Sequence, residues 1–500
     1  MPGRAHQVSG AGHGQPAWGG HRRRAAPLDP TLRALNGFGL GARIGERQRV
    51  REPRDWLLAQ LEGDPPPLAA PPGASPERIA EAVRGMRALA GASQEARRAA
   101  RQALVAVVLA ESRAALDARV ASERPFVERL CVFWSNHLCV SAGAKVVVAP
   151  LAGSYEREAI RPHVLGRFED LVLASARHPA MLLYLDNAQS VGPGSTVARA
   201  GARRGTGRGL NENYARELLE LHTLGVDGGY DQRDVQALAR MLTGWTIEGL
   251  ADGQRGRRGA LRRGGRGRGV PVAPSADTGS GARFVFREAF HEPGSKTLLG
   301  DTYGEAGETE AARAIRTLCR YPSTARFIAG KLVTHFVADA PPPAAVDRLA
   351  DVFLDTGGDL KAVSRALVAL PEAWDGNARK FRSPHDWLVA ALRALGADEA
   401  GERTVAQLRQ LRQPLWSPQS PKGFGDAVAD WADPDALLNR AELARTLSRR
   451  LARRRADPRA LLDVMDVAAQ DPLRAMLADE GTPRDERIAL ALAGPAFQWR

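Results

Sequence analysis

Long apolar runs and paired cysteines are both missing from this chain. No stretch approaches the roughly 18 apolar residues of a membrane-spanning helix, so no membrane span is expected. Cys131, Cys139 and Cys319 are odd in number and lack a Cys-x-x-Cys spacing, which argues against a disulfide framework and against a zinc finger. Lysine is scarce, almost all of the basic residues being arginine, and the formal net charge is +13. No His-Glu-x-x-His, Gly-x-Ser-x-Gly or phosphate-loop motif points to a named enzyme class. HEPGSKT imitates the tail of a phosphate loop, but Ala289 stands where the first glycine belongs and Ser295 intervenes. GFGLGA follows a helix and opens no βαβ unit, so it is not read as a dinucleotide loop.

What is present describes an ordinary globular protein, 44% hydrophobic and 25% charged. Residues 1–29 are rich in Gly, Pro, Arg and His without periodicity and read as a disordered basic tail. That tail has arginines but no apolar segment after them, so no signal peptide is expected and the cytoplasm is the expected location. From residue 30 to 500 helical periodicity dominates, giving a mainly α fold: one large multi-helix domain with at most a small β-hairpin. Flexible loops are expected near 190–210 and 247–283. The second holds GQRGRRGALRRGGRGRG, whose seven arginines face no acid; a surface insertion or a loose grip on a polyanion would both suit it. No aromatic is interleaved there, so base stacking on nucleic acid is unsupported.

The densest pattern is NENYARELLELHTLGVDGGY, residues 211–230. Asn211 is a good N-cap and Gly225 a good stop. At about 100° per residue, Glu212, Arg216 and Glu220 form one row, with Asn213 and Glu217 along its edge. That row reads either as a solvated salt-bridge ladder or as a binding edge, and periodicity does not separate the two. His222 falls on the opposite, apolar side, roughly 140° from Glu217. Two other histidines sit on apolar faces, His137 in the Leu130 stripe and His335 over Ile328 and Leu332. An inward histidine is usually a satisfied core residue. Three on three helices could instead meet at one polar centre with Asp186 or another carboxylate, holding a divalent metal or running acid–base chemistry.

The pieces ALNGFGLGARIGE, FWSNHLCVS, YEREAIRPHVLGRFEDLVLASARHPAMLLYLDNAQS, HEPGSKTLLG, YPSTARFIAGKLVTHFVAD and ALAGPAFQWR, with the 211–230 stretch, resemble the bacterial family called domain of unknown function 1800. The resemblance spans roughly residues 32–500. It implies a mostly helical bacterial protein without an established activity. It also implies a phosphatase-like protein encoded nearby as a partner, and export to the periplasm as the alternative location.

Two functions compete on these grounds. An accessory or scaffold protein needs only the folded surface and ranks first. A hydrolase-type enzyme would place its catalytic residues among His137, Asp186, Glu217, His222 and His335, with the three histidines as the candidate metal ligands.

Overall fold

Short polar residues and prolines fix where many helices begin. Asp29 accepts from the Thr31 and Leu32 amides, and Pro30 takes the first helical position, where a missing N–H costs nothing. Asp231 and Asp234 complete a reciprocal capping box on Gln232–Leu242. Asp359 caps Leu360–Ala369, and Ser383 caps Pro384–Ala394. The computed structural model describes residues 29–89, 91–203, 209–248, 282–376, 378–451 and 457–500. Residues 1–28 of the basic tail and the Arg/Gly insertion lie outside them.

The fold is mainly α. Among the described residues the helices bury two hydrophobic clusters. The larger centres on the rings of Phe38, Phe126, Phe336 and Trp374, with Phe38–Phe126 at 5.5 Å and Phe126–Phe336 at 5.9 Å. Pro125–His137 and Pro322–Phe336 each send one of these phenylalanines into it. The smaller cluster joins Pro384–Ala394, Pro434–Leu451 and Arg484–Ala493 around Trp387, Leu447, Leu492 and Phe497.

Three expectations change. Two small antiparallel sheets stand where one hairpin at most was foreseen: β1 (Trp245–Ile247) pairs with β2 (Phe284–Phe286), and β3 (Lys296–Leu298) with β4 (Asp301–Tyr303). The alternating segment ARFVFREAFHE holds β2, but its partner β1 lies far along the chain, and β3 and β4 are too short to show alternation. The segment 190–210, read as a loop, contains the helix Thr196–Ala202, whose Ser195 hydroxyl accepts from the Ala198 amide. Ser383-Pro384-His385-Asp386 has the sequence of a capping box, yet Asp386 turns its carboxylate to Arg129 and Arg500 instead. Charge pairing in the interior outweighs a local cap, because two buried guanidinium groups need an anion.

GFGLGA is explained by the same arginines. The carbonyls of Gly37, Gly39 and Gly41 accept from Arg500, Arg129 and Arg393 at 3.0, 2.6 and 2.8 Å. Gly41 has φ +115°, and a Cβ there would meet Ala390 Cβ at 2.6 Å. The glycines let the backbone approach a helix closely.

Candidate functional site

Four segments enclose a cavity of 720 Å³, within the range that takes small organic ligands. The Pro125–His137 helix contributes Phe133, Asn136 and His137. The Pro322–Phe336 helix contributes Phe327, Lys331, Thr334 and His335, spaced i, i+4, i+7 and i+8 along one face. The start of Pro384–Ala394 supplies His385 and Asp386, and the Pro/Trp-rich loop after Arg412 supplies Trp416, Lys422, Phe424 and Asp426. Asn136 fastens that loop, donating to the Phe424 carbonyl at 3.0 Å and accepting from its amide at 2.8 Å.

Two charge clusters line the cavity's inner side. Arg119 donates to both Glu156 oxygens at 2.7 Å, and the Trp416 indole donates to the same carboxylate at 2.7 Å. Burial alone would push Glu156 up, but Arg119 and Arg161 outweigh it and hold its carboxyl below the usual range. Beside it, Asp386 pairs with Arg129 at 2.8 Å and Arg500 at 3.1 Å. Against the penalty of burial, these cations hold it well below the ordinary aspartate value. His385 bridges the clusters, with Nε2 at 3.1 Å from Arg119 and Nδ1 at 3.4 Å from Asp386. Burial lowers its pKa, so Nε2 is unprotonated and accepts from Arg119. Both anions are already neutralised; these clusters support the site.

His335 differs. Its Nδ1 lies 2.8 Å from Asp426 Oδ2, and its buried Nε2 has no hydrogen-bond partner among the described residues. Burial lowers its pKa against the pull of Asp426, with Arg500 and Arg129 adding to the fall. Asp426 is lowered too: burial works upward, and His335 and Lys380 outweigh it. At neutral pH the pair is therefore a neutral imidazole donating Nδ1–H to a carboxylate, which leaves the Nε2 lone pair free. Lys331 and Lys422 add positive charge to the lining, and neither has an ion pair among the described residues. Burial lowers the Lys331 pKa.

The histidines expected from the sequence do not form one centre. His137 and His335 both line the cavity. His222 is buried beside His137, their rings 6.4 Å apart, and its carbonyl accepts from His137 Nε2 at 3.1 Å. Asp186 does not line the cavity and is paired with Lys145 at 2.6 Å. Among the described residues no three His, Cys, Asp or Glu side chains gather as metal ligands. Glu212 and Arg216 make the i,i+4 pair at 3.5 Å, extended by Gln232, which donates to Glu212 at 2.7 Å. Glu220 accepts from Tyr230 at 3.5 Å, and Asn213 from the same row is exposed. Asn211 accepts from the Asn213 amide at 2.9 Å, but the helix Asn213–Glu217 has Glu212 and not Asn211 at its N-cap. Glu217 is half-buried, its pKa raised by burial and by Glu220. None of this polar row lines the cavity.

Sequence reading missed Arg119, Glu156, Lys331, His385 and Asp426. The only signals were the Ser383-Pro384-His385-Asp386 cap and the Pro/Trp-rich loop, which sequence marks as packed but not as catalytic.

The family model described as protein of unknown function (DUF1800) matches residues 33–499. The chain belongs to this family. No curated protein and no solved structure matches it. Among the described residues, no helix is long and apolar enough to cross a membrane. The DUF1800 match covers every segment that lines the cavity.

Proposed function

We propose that the chain is a hydrolase acting on a small organic anion in the His335 cavity. The observation that carries this reading is the His335–Asp426 pair, two residues that line a ligand-sized space, with the buried His335 Nε2 left without a hydrogen-bond partner among the described residues. Asp426 fixes the tautomer in which Nε2 accepts a proton from water; the water attacks the substrate carbonyl, and His335 returns the proton to the leaving group. Lys331 and Lys422 attract the anionic end, while Phe133, Phe327 and Leu415 take its apolar part. A chromogenic hemiester, 4-nitrophenyl succinate, tests this. Its hydrolysis should fall at least about 100-fold in His335→Gln, the usual yield of one acid–base group. It should fall in Asp426→Asn as well. Equal rates in parent and His335→Gln sink the proposal.

The accessory reading draws on a different feature, an apolar groove beside the cavity that exposes Val105, Leu109 and Val146. It becomes the better account if neither hydrolysis nor binding of small anions is found. The phosphatase-like neighbour is then the first partner to try.

A further inference from the structure

The helix Gln94–Ala121 carries the run Leu104-Val105-Ala106-Val107-Val108-Leu109, apolar around its whole circumference. One side is accounted for, since Val107 is buried in the larger core cluster. The other is not: Val105 and Leu109, an i,i+4 pair, are 53% and 43% exposed, and Val146 across from them is 51% exposed. With Leu104, Val108 and Val405 they line a groove of 780 Å³, where Arg409 is the only charged side chain among the described residues.

This groove adjoins the His335 cavity. Pro414, Leu415, Trp416 and Pro418 line both. Backbone and side-chain bonds hold that shared wall: Ala142 N donates to the Trp416 carbonyl at 2.8 Å, and Ser141 Oγ to the Pro418 carbonyl at 2.7 Å. Trp416 stands at φ +50°, a region where a bulky residue is strained and persists only when its surroundings enforce it. The indole bond to Glu156 supplies part of that enforcement. A wall so held lies between a space with cations and an acid–base pair and a mainly apolar groove.

We infer that the substrate is an amphiphile, its anionic head in the His335 cavity and a single aliphatic chain over the shared wall in the apolar groove. The inference rests on the hydrolytic reading of the cavity and narrows its substrate class. A ligand tail suits the groove better than a docked protein, because the groove shares a wall with a ligand-sized cavity and offers almost no charge for a polar rim.

Straight-chain carboxylates from hexanoate to dodecanoate, kept below their micellar concentrations, test it by calorimetry on the full chain. Affinity should rise about fourfold per added methylene, the gain expected from burying one CH₂. In the double variant Val105→Asp/Leu109→Asp, dodecanoate should bind at least tenfold more weakly while hexanoate is unchanged. Both positions face solvent, and an unchanged melting temperature shows that folding is spared. Hexanoate binding without a chain-length effect overturns this inference and leaves the hydrolytic reading standing. If no carboxylate of any length binds, both fall. A chain-length effect that survives in the double variant puts the tail elsewhere and overturns it. Self-association that the double variant abolishes, without a chain-length effect, gives the groove to a second copy of the chain.

Discussion

His222 is buried with neither ring nitrogen hydrogen-bonded among the described residues, and burial together with Lys331 lowers its pKa to about 3. The unfolded chain protonates this ring near 6.5 and the folded protein does not. Stability contributed by the neutral ring is therefore complete above that pH and is lost as pH falls toward 3. Its backbone carbonyl, not its ring, receives His137. His222→Leu should therefore unfold within about 1 kcal/mol of the parent at pH 7.5, yet exceed it by roughly 3 kcal/mol at pH 4.5. Urea melts at the two pH values decide, and parallel losses in parent and variant would refute the argument. Glu111 runs the other way. Burial raises its carboxyl to about 7 although Arg157 sits 2.8 Å away, with Glu158 and Glu156 adding to the rise. The folded protein then holds a proton that the unfolded chain releases, so stability falls as pH rises from about 4.5 to 7. Glu111→Gln should remove a slope worth about 3 kcal/mol across that window. A variant whose melts keep the slope would place it on another group.

At the scale of elements, caps made the helices legible, and brevity hid every strand but β2. Asp231, Asp359 and Ser383 announce their helices because each bonds within its own turn, information a local window contains. β1 has no such signal: Trp245 reads as the end of a helical stripe, and its partner Phe286 lies beyond the Arg/Gly insertion. The pairing of β1 with β2 does fix how that insertion is joined to the fold. Ile247 is opposite Phe284, and the Glu248 amide donates to the Arg283 carbonyl at 2.9 Å, so the strand ends already sit at hairpin distance. Replacing residues 250–281 with a two-residue Asn-Gly turn should leave the melting temperature within a few degrees of the parent, since shortening a connection between paired strands changes closure entropy little. A fall of more than about 10 °C, several kcal/mol for a chain of this size, would make the insertion part of the core.

The candidate site was less legible than the fold because its parts meet only across the whole molecule. His335 was found from its helix face, but Asp426, Arg119, Glu156 and Asp386 come from four distant segments. Composition misled as well: a sequence assigns arginine to the surface, whereas Arg33, Arg119, Arg129, Arg382, Arg393, Arg440 and Arg500 are all buried here. Each ties chain segments that no helix joins. Arg500 alone reaches Gly37, His335 and Asp386, and its backbone pairs with Lys380. Asp386 is the anion on which this arrangement turns, since it faces both Arg129 and Arg500. Asp386→Asn leaves two buried guanidinium groups without a counter-charge, which should cost about 3–5 kcal/mol at pH 7. The depressed pKa of Asp386 gives the sign with pH: its contribution is present above about 4 and is lost only in stronger acid, so parent and variant should converge there. The double variant Asp386→Asn/Arg129→Met removes a charge along with the anion, and should be more stable than Asp386→Asn alone. Denaturant melts of the two variants and the parent test the coupling; a double variant less stable than Asp386→Asn would mean that Arg129 acts through its Gly39 hydrogen bond and not through the charge pair.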